Sequence, residues 1–182
     1  MRGACRLAVL AVALASALAA GRAAAVVVDT TAAGFRVQEE LVLRAAPDSV
    51  YRAIALVGSW WSPDHTWSGD ARNLSLDPRP GGCFCERLPG GGVQHLVVVY
   101  AAPGRRLRLT GGLGPLQGSG VAGSLTFELS PLPEGTQLRL EYSVGGYFPG
   151  GLAALASVVD TVLAQQVARL RRFVETGQPG SP

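Results

Sequence analysis

The sequence predicts an α+β domain in which an antiparallel meander of strands is closed by one long carboxy-terminal helix. Three patterns carry this reading. Residues 34–44, GFRVQEELVLR, alternate with a period of two. Strand-like runs then recur at intervals of roughly ten residues, each ended by a Pro- or Gly-rich turn. Residues 152–174 carry an apolar stripe at helical spacing. No strand–helix–strand alternation is present, which argues against a parallel doubly wound sheet.

In the first strand Phe35, Val37, Glu39, Leu41 and Leu43 share one face. Pro47, Asp48 and Ser49 open a helix, with Pro at its start and an acid in its first turn, and Val50, Ile54 and Val57 repeat at helical spacing until Gly58. The loop GSWWSPDHTWSG follows. Strands are then expected at 71–76, 83–88, 93–100, 107–110, 123–129 and 137–144, and the Gly-rich stretch 111–120 reads as a flexible turn. In the last helix Leu155, Val158, Val159, Val162, Leu163, Val167, Leu170 and Val174 form the stripe, with Gln165, Arg169 and Arg172 off it. Asp160 near its start and Arg near its end suit the helix dipole. The glycines of 145–151 read as a hinge or as a tight connection needing positive φ.

The first 25 residues have the layout of a secretory signal peptide: Arg2 and Arg6, an apolar run over 7–20, then Ala-x-Ala motifs. Cleavage is expected after Ala25, with Ala19 or Ala20 as alternatives. The competing reading, an uncleaved anchor, suits a run this short and Ala-rich poorly, so no stable membrane anchor is expected after cleavage. The protein is therefore expected in the periplasm or outside the cell. The mature domain is expected over 34–176, followed by a disordered tail, 177–182.

The 182-residue chain is 48% apolar and 16% charged, enough for a core and far from a disordered composition. Its net charge of +3 resides in the leader: without Arg2, Arg6 and Arg22 the remaining 13 Arg face 13 acidic residues, so no nucleic-acid face is implied. Every basic residue is Arg, which removes Schiff-base chemistry through lysine and a phosphate-binding loop ending in Lys. No cofactor or metal is expected. Only Cys83 and Cys85 survive cleavage. An oxidising compartment favours their pairing, but residues two apart on a strand have near-parallel side chains, a poor geometry for a bridge, and unpaired thiols are the expectation.

The order of strand, short helix, antiparallel run and long terminal helix resembles the helix-grip fold of the START-related (SRPBCC) superfamily, which groups polyketide cyclases, dehydrases and lipid-transport proteins. The segment VLRAAPDSVYRAI is similar to that superfamily's opening. WWSPDH, DPRPGGCFCERLPGGG and YAAPGRRLRLTG resemble segments of its branch related to activators of a heat-shock chaperone ATPase. The resemblance spans about residues 34–176. It implies a bent sheet gripping the helix with a cavity between them, without implying a reaction.

Glu39 falls in the apolar class of its strand, where a carboxylate costs several kcal/mol unless paired or protonated. A bulge or edge turning it to solvent is the favoured alternative. Glu86 shares a face with Phe84 and Leu88, and a surface strand is its equal competitor. His95 alternates with Val97 and Val99, and a satisfied core histidine is the favoured reading over a ligand-binding one. Tyr142 aligns with Leu138, Leu140 and Val144 and either places a hydroxyl in the cavity or packs in the core. Trp60, Trp61, Asp64, His65 and Trp67 read as a lid or mouth, or as a loop pinned by its indoles, with at least one Trp structural.

These residues give three expectations: an exported binder of a small hydrophobic molecule; a cofactor-independent cyclase or dehydratase using a cavity carboxylate or His; and a protein-interaction module with a closed cavity. The state of the cavity discriminates among them.

Overall fold

Strand β2 (Gly34–Leu43) keeps its two-residue period: Phe35, Val37, Glu39, Leu41 and Leu43 are all buried and most of their neighbours are not. It forms a hairpin with β1 (Ala24–Thr31). Residues 24–180 are described by the computed structural model, so the expected leader lies outside them except for Ala24 and Ala25, which begin β1.

After β2 the chain crosses to the far side of the sheet through α1 (Pro47–Ala55) and α2 (Val57–Trp60). Pro47 starts α1 with its φ already helical and Asp48 in the first turn, while Val50, Tyr51, Ala53 and Ile54 form its buried side. The chain then returns strand by strand: β3 (Leu74–Leu76), β4 (Cys83–Leu88), β5 (Gly91–Ala102), β6 (Arg106–Gly111), β7 (Gly120–Leu132) and β8 (Gly135–Tyr147). β8 closes the arrangement by pairing with β2, giving one antiparallel sheet of order β1-β2-β8-β7-β6-β5-β4-β3. Helix α3 (Ala156–Thr176) lies on the inner face. It ends at Gly177, whose φ of 77° allows its N–H to reach the Phe173 carbonyl at 2.8 Å. A curved eight-stranded antiparallel sheet gripping a long terminal helix is the helix-grip architecture.

Three expectations are corrected. Of the strand expected over 71–76 only Leu74–Leu76 is extended, and Ala71–Asn73 is a 3-10 turn whose Arg72 N–H is met by the Asp70 carboxylate. The Gly-rich stretch is not merely a turn: Gly114–Gly118 is a 3-10 turn that buries Leu116. Finally, His95, Leu96 and Val98 are buried, whereas Val97 is half-buried and Val99 exposed. The β4–β5 ladder steps from Phe84–Leu96 to Cys85–Gln94, leaving His95 as an extra residue, and a second irregularity at Val99 interrupts the β5–β6 ladder. Each bulge flips the strand's parity, so alternation counted from His95 fails beyond it.

Cys83 and Cys85 form a disulfide with Cα atoms 5.3 Å apart, against the expectation of unpaired thiols. Residues two apart on a strand lie within the Cα span of a disulfide, so side-chain direction and not distance was the obstacle the spacing suggested.

Candidate functional site

The core does not fill the space between sheet and helix. A cavity of about 530 Å³ remains, open on one side. Its floor is Phe84, His95 and Tyr142 from the inner sheet face. One wall is α3, which presents Val158, Val159, Val162 and Leu163. A second wall is Leu113, Pro115 and Leu116, and the mouth is framed by the loop from Trp61 to Trp67. A volume in this range, with apolar walls and few polar groups, is that of a small-molecule site.

The Trp loop divides into a pinned part and a rim. Trp60 is sealed in the core with its indole N–H on the Ala53 carbonyl at 2.9 Å, so it lies outside the cavity wall. Trp61 lines the cavity and donates to the His65 carbonyl at 3.0 Å. His65 and Asp64 stand at the mouth, with His65 Nε2 3.1 Å from Gln165 Oε1 of α3. Two buried contacts fasten the loop to the same helix: Ser62 N–H donates to Gln166 Oε1 at 2.8 Å, and Arg169 Nε donates to the Trp60 carbonyl at 2.9 Å. Arg169 is therefore buried, a correction to its placement off the apolar stripe. Trp67 remains 57% exposed at the rim, and Val158 of α3, which also lines the cavity, is 58% exposed.

Glu86 is buried and accepts from Trp67 N–H at 3.1 Å, Ser68 N–H at 2.5 Å and His95 Nε2 at 3.0 Å. Burial opposes its ionisation, but the hydrogen bonds from Ser68, Trp67 and His95 outweigh it and hold the carboxyl below its ordinary value. Glu86 thus serves as an internal anchor for the rim and is not a wall residue. A carboxylate only accepts, so His95 Nε2 carries the hydrogen. In the neutral ring Nδ1 then keeps its lone pair, and Nδ1 bonds nothing among the described residues. A row of ring contacts leads from the core to the floor: Trp60 to Trp61 at 5.5 Å, Trp61 to Phe84 at 5.6 Å and Phe84 to His95 at 5.3 Å.

Tyr142 lines the cavity, but its hydroxyl is committed. It donates to the Gly111 carbonyl at 3.1 Å and accepts from the Leu113 N–H at 3.0 Å, tying the 113–116 wall to the sheet. Burial pushes its pKa up to about 12. Its ring lies over Gly123, where a Cβ would come within 2.5 Å of it, so glycine there makes room for the tyrosine.

Glu39 faces inward with its side chain fully buried, against the favoured expectation that it turns to solvent. It is absent from the cavity wall. Both of its carboxyl oxygens lack hydrogen-bond partners among the described residues, and burial, then the nearby Asp160 of α3, raises its pKa to about 7. The sequence reading missed the roles of Leu113, Leu116, Gln166 and Asp160. The spacing of Leu113 and Leu116 around Pro115 was the available signal for the wall. Nothing in the stripe of α3 marked Gln166 or Asp160 as inward.

No family model matches the chain, and no curated protein matches it in sequence. Solved structures do match in shape. A conserved protein of unknown function from Enterococcus faecalis superposes with a TM-score of 0.58 at 15% identity, over 88% of this chain and 81% of that one. An uncharacterised protein from Rhizobium leguminosarum gives 0.56 at 20% identity, over 76% and 93%. The Aha1 dimer from Colwellia psychrerythraea gives 0.56 at 17% identity, over 78% and 97%. At these identities the likeness is one of fold, and the helix-grip architecture is what these proteins share with this chain.

Proposed function

We propose that this chain is an exported START-related (SRPBCC) protein that binds a small hydrophobic molecule in the cavity between sheet and α3. The observation that carries the reading is the unfilled 530 Å³ space walled by valine, leucine and aromatic side chains. Such walls favour an apolar occupant by on the order of 25 cal/mol per Å² removed from water. Partner commitments narrow the polar anchors. Tyr142 and Glu86 are already bonded, Glu39 lies elsewhere and His95 Nδ1 is sealed from solvent, so among the described residues the floor offers the occupant an apolar surface. The paired cysteines suit an oxidising compartment, in keeping with the secretory leader read in the sequence.

One arrangement supports a second reading, cofactor-independent proton transfer: Glu86 orients His95 as a carboxylate orients a general base. Binding is preferred because His95 Nδ1 is sealed from solvent and no second titratable group with a free valence shares the floor. The closed-module reading is disfavoured by the open cavity.

Native mass spectrometry of protein purified from its own envelope fraction is expected to show a co-purifying small apolar molecule. Val162→Trp, which fills the cavity from the helix side, should abolish that adduct while leaving far-UV circular dichroism unchanged. An absence of adduct together with no binding of uncharged apolar dyes would refute the proposal.

A further inference from the structure

Cys83 and Cys85 are bridged on the outer face of the sheet, away from the cavity. We infer that this disulfide is a thiol–disulfide exchange site, opened by a small thiol that carries carboxylates and enters along the outer groove beside Arg87.

The place of the bridge argues against a stabilising role. It joins residues two apart, so the loop it closes holds Phe84 alone and constrains the unfolded chain least. In the folded chain β4 is already held from both sides: Cys85 pairs with Ser75 on β3 and with Gln94 on β5, and Cys83 pairs with Val97. Phe84 and Glu86 are buried on the inner face. Cys83, Cys85 and Arg87 alternate with them on the outer one, where both cysteines are half-buried and Arg87 is exposed. Bridges that a solvent thiol can reach are the labile ones, whereas sealed bridges resist the thiol pool.

Access and charge both favour one sulfur. Cys85, and not Cys83, lines a shallow groove on this face together with Ser75, Arg87 and Gln94. Gly91 and Gly92, opposite Leu88 and Arg87, keep the groove open; a Cβ at Gly91 would meet nothing within 4 Å. Arg72 at the groove is paired with Asp70 at 2.7 Å, whereas Arg87 bonds the neutral Asn73 at 3.0 Å. Two arginines and one aspartate leave a net positive charge on this face, while Glu86 turns its carboxyl inward to His95. An anionic thiol is drawn to such a groove and a cationic one repelled.

The step is a displacement along the S–S axis. The bridge lies along the strand, so a thiolate entering from the Arg87 side meets Cys85 Sγ with Cys83 Sγ behind it. A bond forms between the incoming sulfur and Cys85 Sγ as the Sγ–Sγ bond breaks, and Cys83 Sγ departs with the electron pair and takes a proton from water. A second thiolate of the same kind then attacks the incoming sulfur of the mixed disulfide and releases Cys85 as its thiolate. Two small thiols are oxidised to one disulfide, and the bridge is reduced by two electrons to two thiols.

The test mixes the folded protein with glutathione, mercaptoacetate or cysteamine, quenches with acid, alkylates and counts free thiols by intact mass, with far-UV circular dichroism reporting the fold. The bridge is expected to open while the fold persists. After correction for thiolate fraction and basicity, the two anionic thiols should react about tenfold faster than cationic cysteamine, and less so at high salt. Arg87→Gln should bring the rates close together and Arg87→Lys restore the difference. The trapped glutathione adduct should map to Cys85. Opening that requires urea, equal wild-type rates for anionic and cationic thiols, or an adduct on Cys83 overturns the inference.

Discussion

Glu86 and Glu39 are both carboxylates buried under the same sheet, and their opposite surroundings set their chemistry. Glu86 has donors on every side and stays charged; Glu39 has none and is pushed to a pKa of about 7. Linkage then gives a sign for each. A carboxyl raised from 4.5 to about 7 contributes stability that is fully present below its unfolded pKa and is lost as pH rises through its folded pKa. Glu86, held low, works the other way: its contribution is present above its unfolded pKa and lost as pH falls through its folded one. The wild type should therefore lose stability between about pH 4.5 and about pH 7, by roughly 3 kcal/mol at most, and then level off. Glu39→Gln should abolish that loss and make the protein more stable than the wild type at about pH 8, measured by urea unfolding. Equal slopes in the two proteins would show that Glu39 is not the group concerned.

At the scale of elements, the Trp loop and α3 are joined by polar contacts that apolar patterning does not encode. Gln166 is buried and its Oε1 takes the N–H of Ser62, itself buried. Gln166→Leu conserves volume but strands that donor, so it is expected to cost about 2 kcal/mol and to expose the Ser62 amide to exchange. A neutral result would mean that water replaces the side chain. The same distinction explains what the sequence made legible. The period of β2, the placement of β4 and the body of α3 follow from burial, which repeats with the geometry of the backbone, although the helix starts at Ala156 after a 3-10 turn and not at Leu152 as expected. The bulge at His95 follows from ladder registry between two strands, and it hid the parity of β5. Gln166 and Arg169 were hidden for a related reason: their partners lie about a hundred residues away on the loop, beyond any local pattern. Alternation put Glu39 and Glu86 in the apolar class of their strands, yet it favoured a solvent-facing Glu39 and left Glu86 open, whereas both are buried. Their fates depended on Ser68, Trp67 and Asp160, which only the fold brings near them.

Across the whole molecule, the sheet and helix bury a core around a space they do not fill, and that sets the thermodynamic form of any binding there. An occupant removes apolar wall from contact with water and must lower the heat capacity of the system, whatever its chemical identity. Because it binds the folded chain and not the unfolded one, a ligand at about a hundred times its Kd should stabilise the fold by about 2.7 kcal/mol. For a domain of this size that is a rise of about 5–10 °C in Tm. Titration calorimetry of any ligand identified by mass spectrometry, repeated at several temperatures, is expected to give a clearly negative heat-capacity change that Val162→Trp eliminates. A change near zero would place the ligand on the outer surface. The rim of Trp67 and Val158 would then be a contact patch and not a mouth, because burying two partly exposed side chains removes far less apolar surface than filling the space beneath them.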